Sequence, residues 1–194
     1  MRELHVELPK PMFVGTPRGL LVRRGQESVV KSPVMMPVDA VLLSANKPVT
    51  ASDSLPIIGE LTMVTDGDKE GRDGSYVELG PGPQFVQIDL MATSRVYAVA
   101  VWHYHAQARV YRDVVVLLAG DAAFEQHVVV YDNDDDNSLG FGEGLNDAYI
   151  ETNQGLLIGV DGILARYVRL YSNGNSANAM NHYVEVEVYG VPGR

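Results

Sequence analysis

The chain has 194 residues, 46% of them hydrophobic, and no cysteine. That length buries one core and leaves no room for a second, and the lack of thiols excludes disulfide staples and cysteine nucleophiles. A formal net charge of −10, from 25 acidic and 15 basic residues, disfavours nonspecific binding to nucleic acid or to an anionic membrane surface. No apolar run approaches the roughly 18 residues that a membrane span requires.

Residues 1–44 hold Pro9, Pro11, Pro17, Pro33 and Pro37, with Arg23 and Arg24 between them. Proline fixes φ and removes a donor, so this part is expected to be an extended segment that packs on the domain or serves as a linker. The apolar clusters Met12 to Val14 and Val34 to Met36 are available to dock it, and the two arginines read as a solvated edge. The opening MRELHVELPKP lacks the apolar core of a secretion signal, so an exported protein would need a signal outside this sequence.

From residue 45 the texture changes. KPVTASD reads as a short strand running into a turn, and Leu55 to Val64 as a second apolar strand. The central stretch follows, TDGDKEGRDGSYVELGPGPQFVQIDL, from Thr65 to Leu90. Asp66, Asp68 and Glu70 alternate with other residues, while Gly67 and Gly71 let the backbone fold tightly. Clustered hard oxygen ligands suit calcium, and the same Asp and Gly residues serve any solvated turn; the residues alone leave both readings open. The helical calcium loop is disfavoured, because Val77 stands where its twelfth-position glutamate belongs.

Phe85 to Leu90 alternates Val86, Ile88 and Leu90 with Gln87 and Asp89, the period of a half-buried strand. Val96 to Trp102 is predicted as a further strand with Val96, Ala98, Ala100 and Trp102 on one face, and Trp102 reads as core. Asp113 to Ala119 reads as a strand buried on both faces, and His127 to Tyr131 as the next. Residues 132–147 are acidic and glycine-rich, but GFGEG is not a phosphate-binding loop, and Asp134 to Asp136 read as solvated rather than as a second cation site. Arg166 to Tyr171 and His182 to Tyr189 are the last strands; Val184, Val186 and Val188 alternate there with Glu185 and Glu187. No helical period persists, so the class is all-β, a sandwich or jelly roll.

Taken together, KPVTASD, the TDGD turn, FVQIDL, RYVRLYS and VEVEVYG resemble the galactose-binding-like jelly roll of discoidin (coagulation factor 5/8 type C) domains and family 32 carbohydrate-binding modules. The resemblance runs from about Ala45 to Gly190 and implies an antiparallel jelly-roll β-sandwich over residues 45–194, preceded by the extended N-terminal segment. It also implies a structural calcium held by a turn aspartate, backbone carbonyls and a glutamate of the last strand. The matching positions are Asp66 and Glu185, with Asp68 as a neighbour and Asp73 as a further candidate. The family's Thr and Trp after the Asp-Gly turn are absent, and EGRDGSY stands there instead. The absence of a terminal disulfide points to the bacterial carbohydrate-binding branch.

In such modules ligands bind at loops on one end of the sandwich, where side chains supply donors and acceptors to sugar hydroxyls and aromatic rings stack on C–H faces. The matching loops are HYHAQARVYRD, offering His103, His105, Arg109 and Tyr111, and SNGNSANAMNHY, offering Asn175, Asn181 and His182. The expected function is a noncatalytic module that binds a glycan, extracellular or periplasmic, within or beside a secreted glycan-acting system and joined to other domains. One alternative is a discoidin-type protein interaction or adhesion module. Another is a hydrolase with a metal on His103, His105 and a distant carboxylate; no glutamate lies between His105 and Glu125 to complete a cupin ligand set. No G-x-S-x-G elbow and no H-E-x-x-H motif is present.

Overall fold

Two long strands carry the architecture. In the computed structural model, which describes residues 1–13 and 33–193, β6 (Gln84–Trp102) and β9 (Leu156–Ser172) run antiparallel along each other. Arg23 and Arg24, with Pro17 and Val14, lie outside the described residues. The β6–β9 register shifts between Asp89 and Ser94, where Met91 takes a φ of 68°. Arg166 clamps this corner with two hydrogen bonds of 2.8 Å to Asp89, which hold the Asp89 carboxyl below the usual carboxylate range. A bend at such a corner sends the two halves of one strand into different layers.

The first half of β6 pairs with β4 (Val49–Ala51), and the second half of β9 pairs with β7 (Val115–Ala119), which pairs with β8 (His127–Asp132). The second half of β6 pairs with β11 (Glu185–Val191), which pairs in turn with β3 (Val41–Leu42). Val86, Ile88 and Leu90 from the first half of β6 meet Val99 and Val101 from the second half in one core, together with Leu118, Leu170 and Val188. All these pairings are antiparallel, and the fold is an all-β sandwich of jelly-roll type. A small ladder of β5 (Val77–Leu79) and β10 (Asn181–Tyr183) sits beside it.

Three expectations are corrected. Leu55 to Val64 is not a strand: it forms bends and a 3-10 helix over Leu61–Thr65, and only Ile58 bridges, to Glu78. The strands read at 85–90 and 96–102 are one continuous strand, because the exposed residues around Met91 hide the continuity from an alternation test. Val96 also does not share a face with Ala98, Ala100 and Trp102. The register shift between Val96 and Ala98 places Val96 in the main core and turns the other three outward, since a one-residue slip exchanges the faces of a strand.

That outer face is covered by the N-terminal segment. β1 (Arg2–Glu3) pairs with β2 (Met35–Met36), and Leu4, Met36 and Ala40 pack with Ala98. Lys69 Nζ donates to the Glu7 carbonyl at 2.7 Å and Asn153 Nδ2 to the Pro9 carbonyl at 2.8 Å. Among the described residues no helix is long and apolar enough to cross a membrane.

Candidate functional site

After β6 ends at Trp102, residues 103–111 fold back across one end of the sandwich. Trp102 itself is fully buried and donates from Nε1 to the Asn153 carbonyl, so it is core. His103 and His105 are both fully buried and diverge. His103 Nδ1 meets Glu151 Oε2 at 3.0 Å, and its ring stacks on Tyr111 with centroids 4.3 Å apart. His105 Nε2 instead bonds the Lys69 carbonyl at 2.8 Å, over Gly71. Among the described residues no three His, Asp or Glu side chains gather as a metal-holding group, so the hydrolase alternative lacks its ligand set. Both histidines brace the loop from below instead of facing out.

Asn175 and Asn181, predicted at the ligand face, are also buried, and their amides are fully engaged. Asn175 accepts from the backbone N–H groups of Ala177 and Asn178 and donates to Asn178 Oδ1 and the Met180 carbonyl. Asn181 accepts from Ser172 Oγ and Gly174 N and donates to the carbonyls of Gly80 and Gly82. Each amide has two donors and two acceptor lone pairs, and here all four are used. These residues shape the loop and tie it to residues 80–82.

Arg109, Tyr111 and His182 do come together, and they recruit Asp73, Tyr76, Glu78 and Tyr104. The Arg109 guanidinium lies 4.6 Å from the centre of the Tyr104 ring, a cation–π contact. Tyr104 meets Tyr76 edge-on at 4.9 Å and donates its hydroxyl to Asp73 Oδ1 at 3.0 Å. Below them, His182 lies 2.9 Å from Glu78 Oε2 through Nε2 and 3.1 Å from the Tyr111 hydroxyl through Nδ1. Burial, with the charges of Arg109 and His103, pushes the His182 pKa down to about 3, so the ring is neutral near pH 7. The network then assigns Tyr111 O–H as donor to Nδ1 and Nε2–H as donor to Glu78.

Asp73 is exposed, and Tyr76, Glu78 and Arg109 are partly so. The surface therefore offers one partly exposed ring, Tyr76, resting on the buried Tyr104, with a guanidinium and two carboxylates in the same patch. Such a patch presents donors, acceptors and apolar faces together, which is what a polyhydroxyl ring asks of a site. Tyr76 and Glu78 are absent from the sequence-derived set, whereas Tyr104 stands in the HYHAQARVYRD loop read there as a ligand loop. The sequence signal for Tyr76 is an aromatic residue closing the glycine-rich EGRDGSY turn.

The acidic turn lies at the edge of the same end. Gly67 N donates to Glu185 Oε2 at 3.1 Å, across a separation of 118 residues. Asp68 N donates to Asp66 Oδ1 and Glu70 N to Asp68 Oδ1, so the first two aspartates tighten the turn. Glu185 is 1% exposed, and burial pushes its pKa up to about 9, with the charges of Glu187 and Asp66 adding to the rise. The nearby cation, Lys69, pairs with Glu187 at 2.8 Å. Glu185 is thus tied to the turn at Gly67, next to Asp66; Asp68 stays in the turn, and Asp73 bonds Tyr104 instead.

No protein-family model and no curated protein matches the sequence. Solved structures do. The family 32 carbohydrate-binding module of AlyQ, in complex with 4,5-unsaturated mannuronic acid, superposes with a TM-score of 0.54 at 21% identity, over 73% of this chain and 92% of that one. The family 32 module of NanJ from Clostridium perfringens, in complex with galactose, gives 0.58 at 11% identity, over 77% and 98%. A family 89 glycoside hydrolase from the same organism gives 0.59 at 18% identity, over 78% of this chain but 15% of the enzyme. By its fold, the chain is a galactose-binding-like β-sandwich of the kind found in family 32 carbohydrate-binding modules.

Proposed function

We propose that the chain is a noncatalytic carbohydrate-binding module, that its ligand rests on the Tyr76–Tyr104–Arg109 face, and that a structural calcium pins the acidic turn to the last strand. The observation that carries the glycan reading is the Arg109 fork laid over Tyr104 and flanked by Asp73 and Glu78 at one end of this fold. The guanidinium can donate to a sugar hydroxyl or pair with a uronate carboxylate. The neighbouring carboxylates accept from further hydroxyls, and the partly exposed Tyr76 ring, backed by Tyr104, meets C–H groups. Affinity is expected in the µM to mM range, because a shallow patch makes few contacts and each polar one replaces water.

The calcium would be held by Asp66 and Glu185 with carbonyls of the turn. Its chemistry fits the residues present: Glu185 is a buried hard oxygen donor beside a second carboxylate, and a cation relieves the cost of burying that charge. Its part is to join the turn to the last strand, and no reaction step is assigned to it. A placement outside the cytoplasm, within or beside a longer glycan-acting protein, agrees with neighbours that are themselves parts of enzyme chains.

Calorimetric titration with galactose-type and uronate oligosaccharides tests the glycan reading. Saturable heat that Arg109→Ala or Tyr76→Ala reduces supports it. Heat unaltered by either substitution, or no heat with any glycan, overturns it.

A further inference from the structure

Four pairs in the sequence place a glycine after an aspartate or asparagine: Asp66–Gly67, Asp73–Gly74, Asp161–Gly162 and Asn173–Gly174. At such a pair the glycine nitrogen can attack the carbonyl carbon of the preceding side chain, because no Cβ shields it and the backbone turns freely. In a folded chain the two atoms must also be free to approach. The structure, more than the motif, therefore decides which pair reacts.

Three of the four pairs are held. Gly67 N donates to Glu185 Oε2 at 3.1 Å. Gly174 N donates to Asn181 Oδ1 at 2.8 Å, and the Asn173 amide donates to Asp113 Oδ2 at 2.8 Å. Asp161–Gly162 lies inside β9, whose pairing with β6 is made on either side at Gly159–Ala98 and Ile163–Val96, and the Gly162 carbonyl accepts from Arg95 Nη1 at 2.9 Å. Rearranging any of these pairs breaks bonds that the fold has already made.

Asp73–Gly74 differs on each count. The pair forms the centre of a four-residue turn closed by Ser75 N donating to the Arg72 carbonyl at 2.9 Å, and Gly74 has a φ of 85°, the value that a type II turn takes at its third residue. Among the described residues Gly74 N has no hydrogen-bond partner. Arg72, Asp73 and Gly74 are all exposed, and a Cβ on Gly74 would meet nothing within 4 Å. The Asp73 carboxylate is held by one bond, from the Tyr104 hydroxyl at 3.0 Å.

We propose that Asp73–Gly74 is a covalent modification site, at which the folded chain isomerises without an enzyme and alters the rim of its own ligand face. With the carboxyl in its acid form, Gly74 N bonds to Asp73 Cγ, the nitrogen gives up its proton and water leaves, closing a succinimide ring. Water then adds to the α-carbonyl carbon of Asp73, and the bond from that carbon to Gly74 N breaks. The backbone now runs through Cγ, the former α-carboxyl becomes the side group, and the mass equals that of the starting chain. The isoaspartate lengthens the turn by one carbon and carries the carboxylate off the Tyr104 hydroxyl, beside Tyr76 and Arg109. The modification stands on the turn alone; only its consequence for glycan binding rests on the proposed glycan reading.

The test is peptide mapping of the full chain after prolonged warm incubation at mildly acidic pH, with isoaspartate scored by fragmentation and by methylation with an isoaspartate-specific methyltransferase. Isoaspartate is expected to form at Asp73 at least about tenfold faster than at Asp66 or Asp161, the factor set by breaking a hydrogen bond or two to free a pinned pair. In urea, where those bonds are gone, the three Asp–Gly pairs should react at similar rates. Gly74→Ala, whose Cβ has open space, should suppress the product while the chain stays folded. The isoaspartate form, separated by ion exchange, should show shifted Tyr104 and Tyr76 ring signals in NMR with no glycan present. No product at Asp73, or equal product at a second Asp–Gly pair of the folded chain, would overturn the site. Ring signals identical to those of the unmodified chain would overturn its reach into the ligand face.

Discussion

Arg109 and Tyr104 form the contact on which the end-loop surface is built: the guanidinium stands 4.6 Å from the ring centre, while the same ring's hydroxyl is tied to Asp73. The ring cannot rotate away without breaking one bond, and the cation cannot leave without uncovering the ring. Replacing Arg109 with alanine should weaken glycan binding about tenfold or more, measured by calorimetry. Arg109→Lys should recover little of this, because a point charge cannot reproduce the planar fork that stacks and donates at once.

The bond from Gly67, beside Asp66, to Glu185 underlies the proposed calcium site, which predicts a calcium-dependent stability. At calcium levels about 100 times the dissociation constant, linkage supplies about 2.7 kcal/mol. Chelation should therefore lower the thermal midpoint by roughly 5–10 °C for a chain of this size. Glu185→Gln should remove the response, since Gln keeps an acceptor for Gly67 N but not the charge. In chelator near pH 7 the variant should be about as stable as the parent, because a carboxyl raised to about 9 is already uncharged there and Gln matches its shape. A midpoint indifferent to chelator would exclude the calcium.

His182 gives stability a defined acid limb. Its folded pKa of about 3 lies below the ordinary value of 6.5, so the unfolded chain binds more protons between those values. Stability contributed by the neutral ring is present above about pH 6.5 and is lost as pH falls toward 3, at up to about 1.4 kcal/mol per pH unit. Urea midpoints measured across that window should fall with acid, and His182→Gln should flatten the slope. Equal slopes in parent and variant would contradict the assignment of a neutral, buried ring.

Gly67 and Gly71 look equivalent in the sequence, but the structure separates them. Both have positive φ, 90° and 61°, yet a Cβ at Gly67 meets nothing within 4 Å, whereas one at Gly71 comes within 2.9 Å of His105 Nε2. Gly67→Ala should cost about 1 kcal/mol from backbone strain alone. Gly71→Ala should cost about 2–3 kcal/mol, since it also displaces a buried histidine bonded to Lys69. Denaturant titration of the two variants checks the order.

The strand period was visible wherever one face is buried and the other is wet, as at Val86, Ile88 and Leu90, and the sandwich followed from it. What alternation cannot show is a bulge: the slip after Val96 changes which face Ala98 and Trp102 occupy without altering the pattern of residue types. The acidic turn was legible because Asp66 and Glu185 belong to motifs, although the bond from Gly67 to Glu185 across 118 residues is a property of the fold. The Arg109–Tyr104–His182 patch was half legible. Arg109 and His182 stood out as polar residues in predicted loops. Asn175 and Asn181 carried the same signal but bury their amides in loop architecture, and residue type alone does not distinguish a saturated amide from a free one. Tyr76 and Glu78 were missed because they flank or sit within a strand whose neighbour, β10, is remote in sequence.

The most direct test of the account is an NMR titration of the labelled chain with galactose-type and uronate oligosaccharides, following the Tyr76 and Tyr104 ring signals and the Arg109 guanidinium. Saturable shifts centred on those three residues, absent in Arg109→Ala, are the predicted result. No shifts with any glycan, or shifts confined to the opposite end of the sandwich, would contradict it.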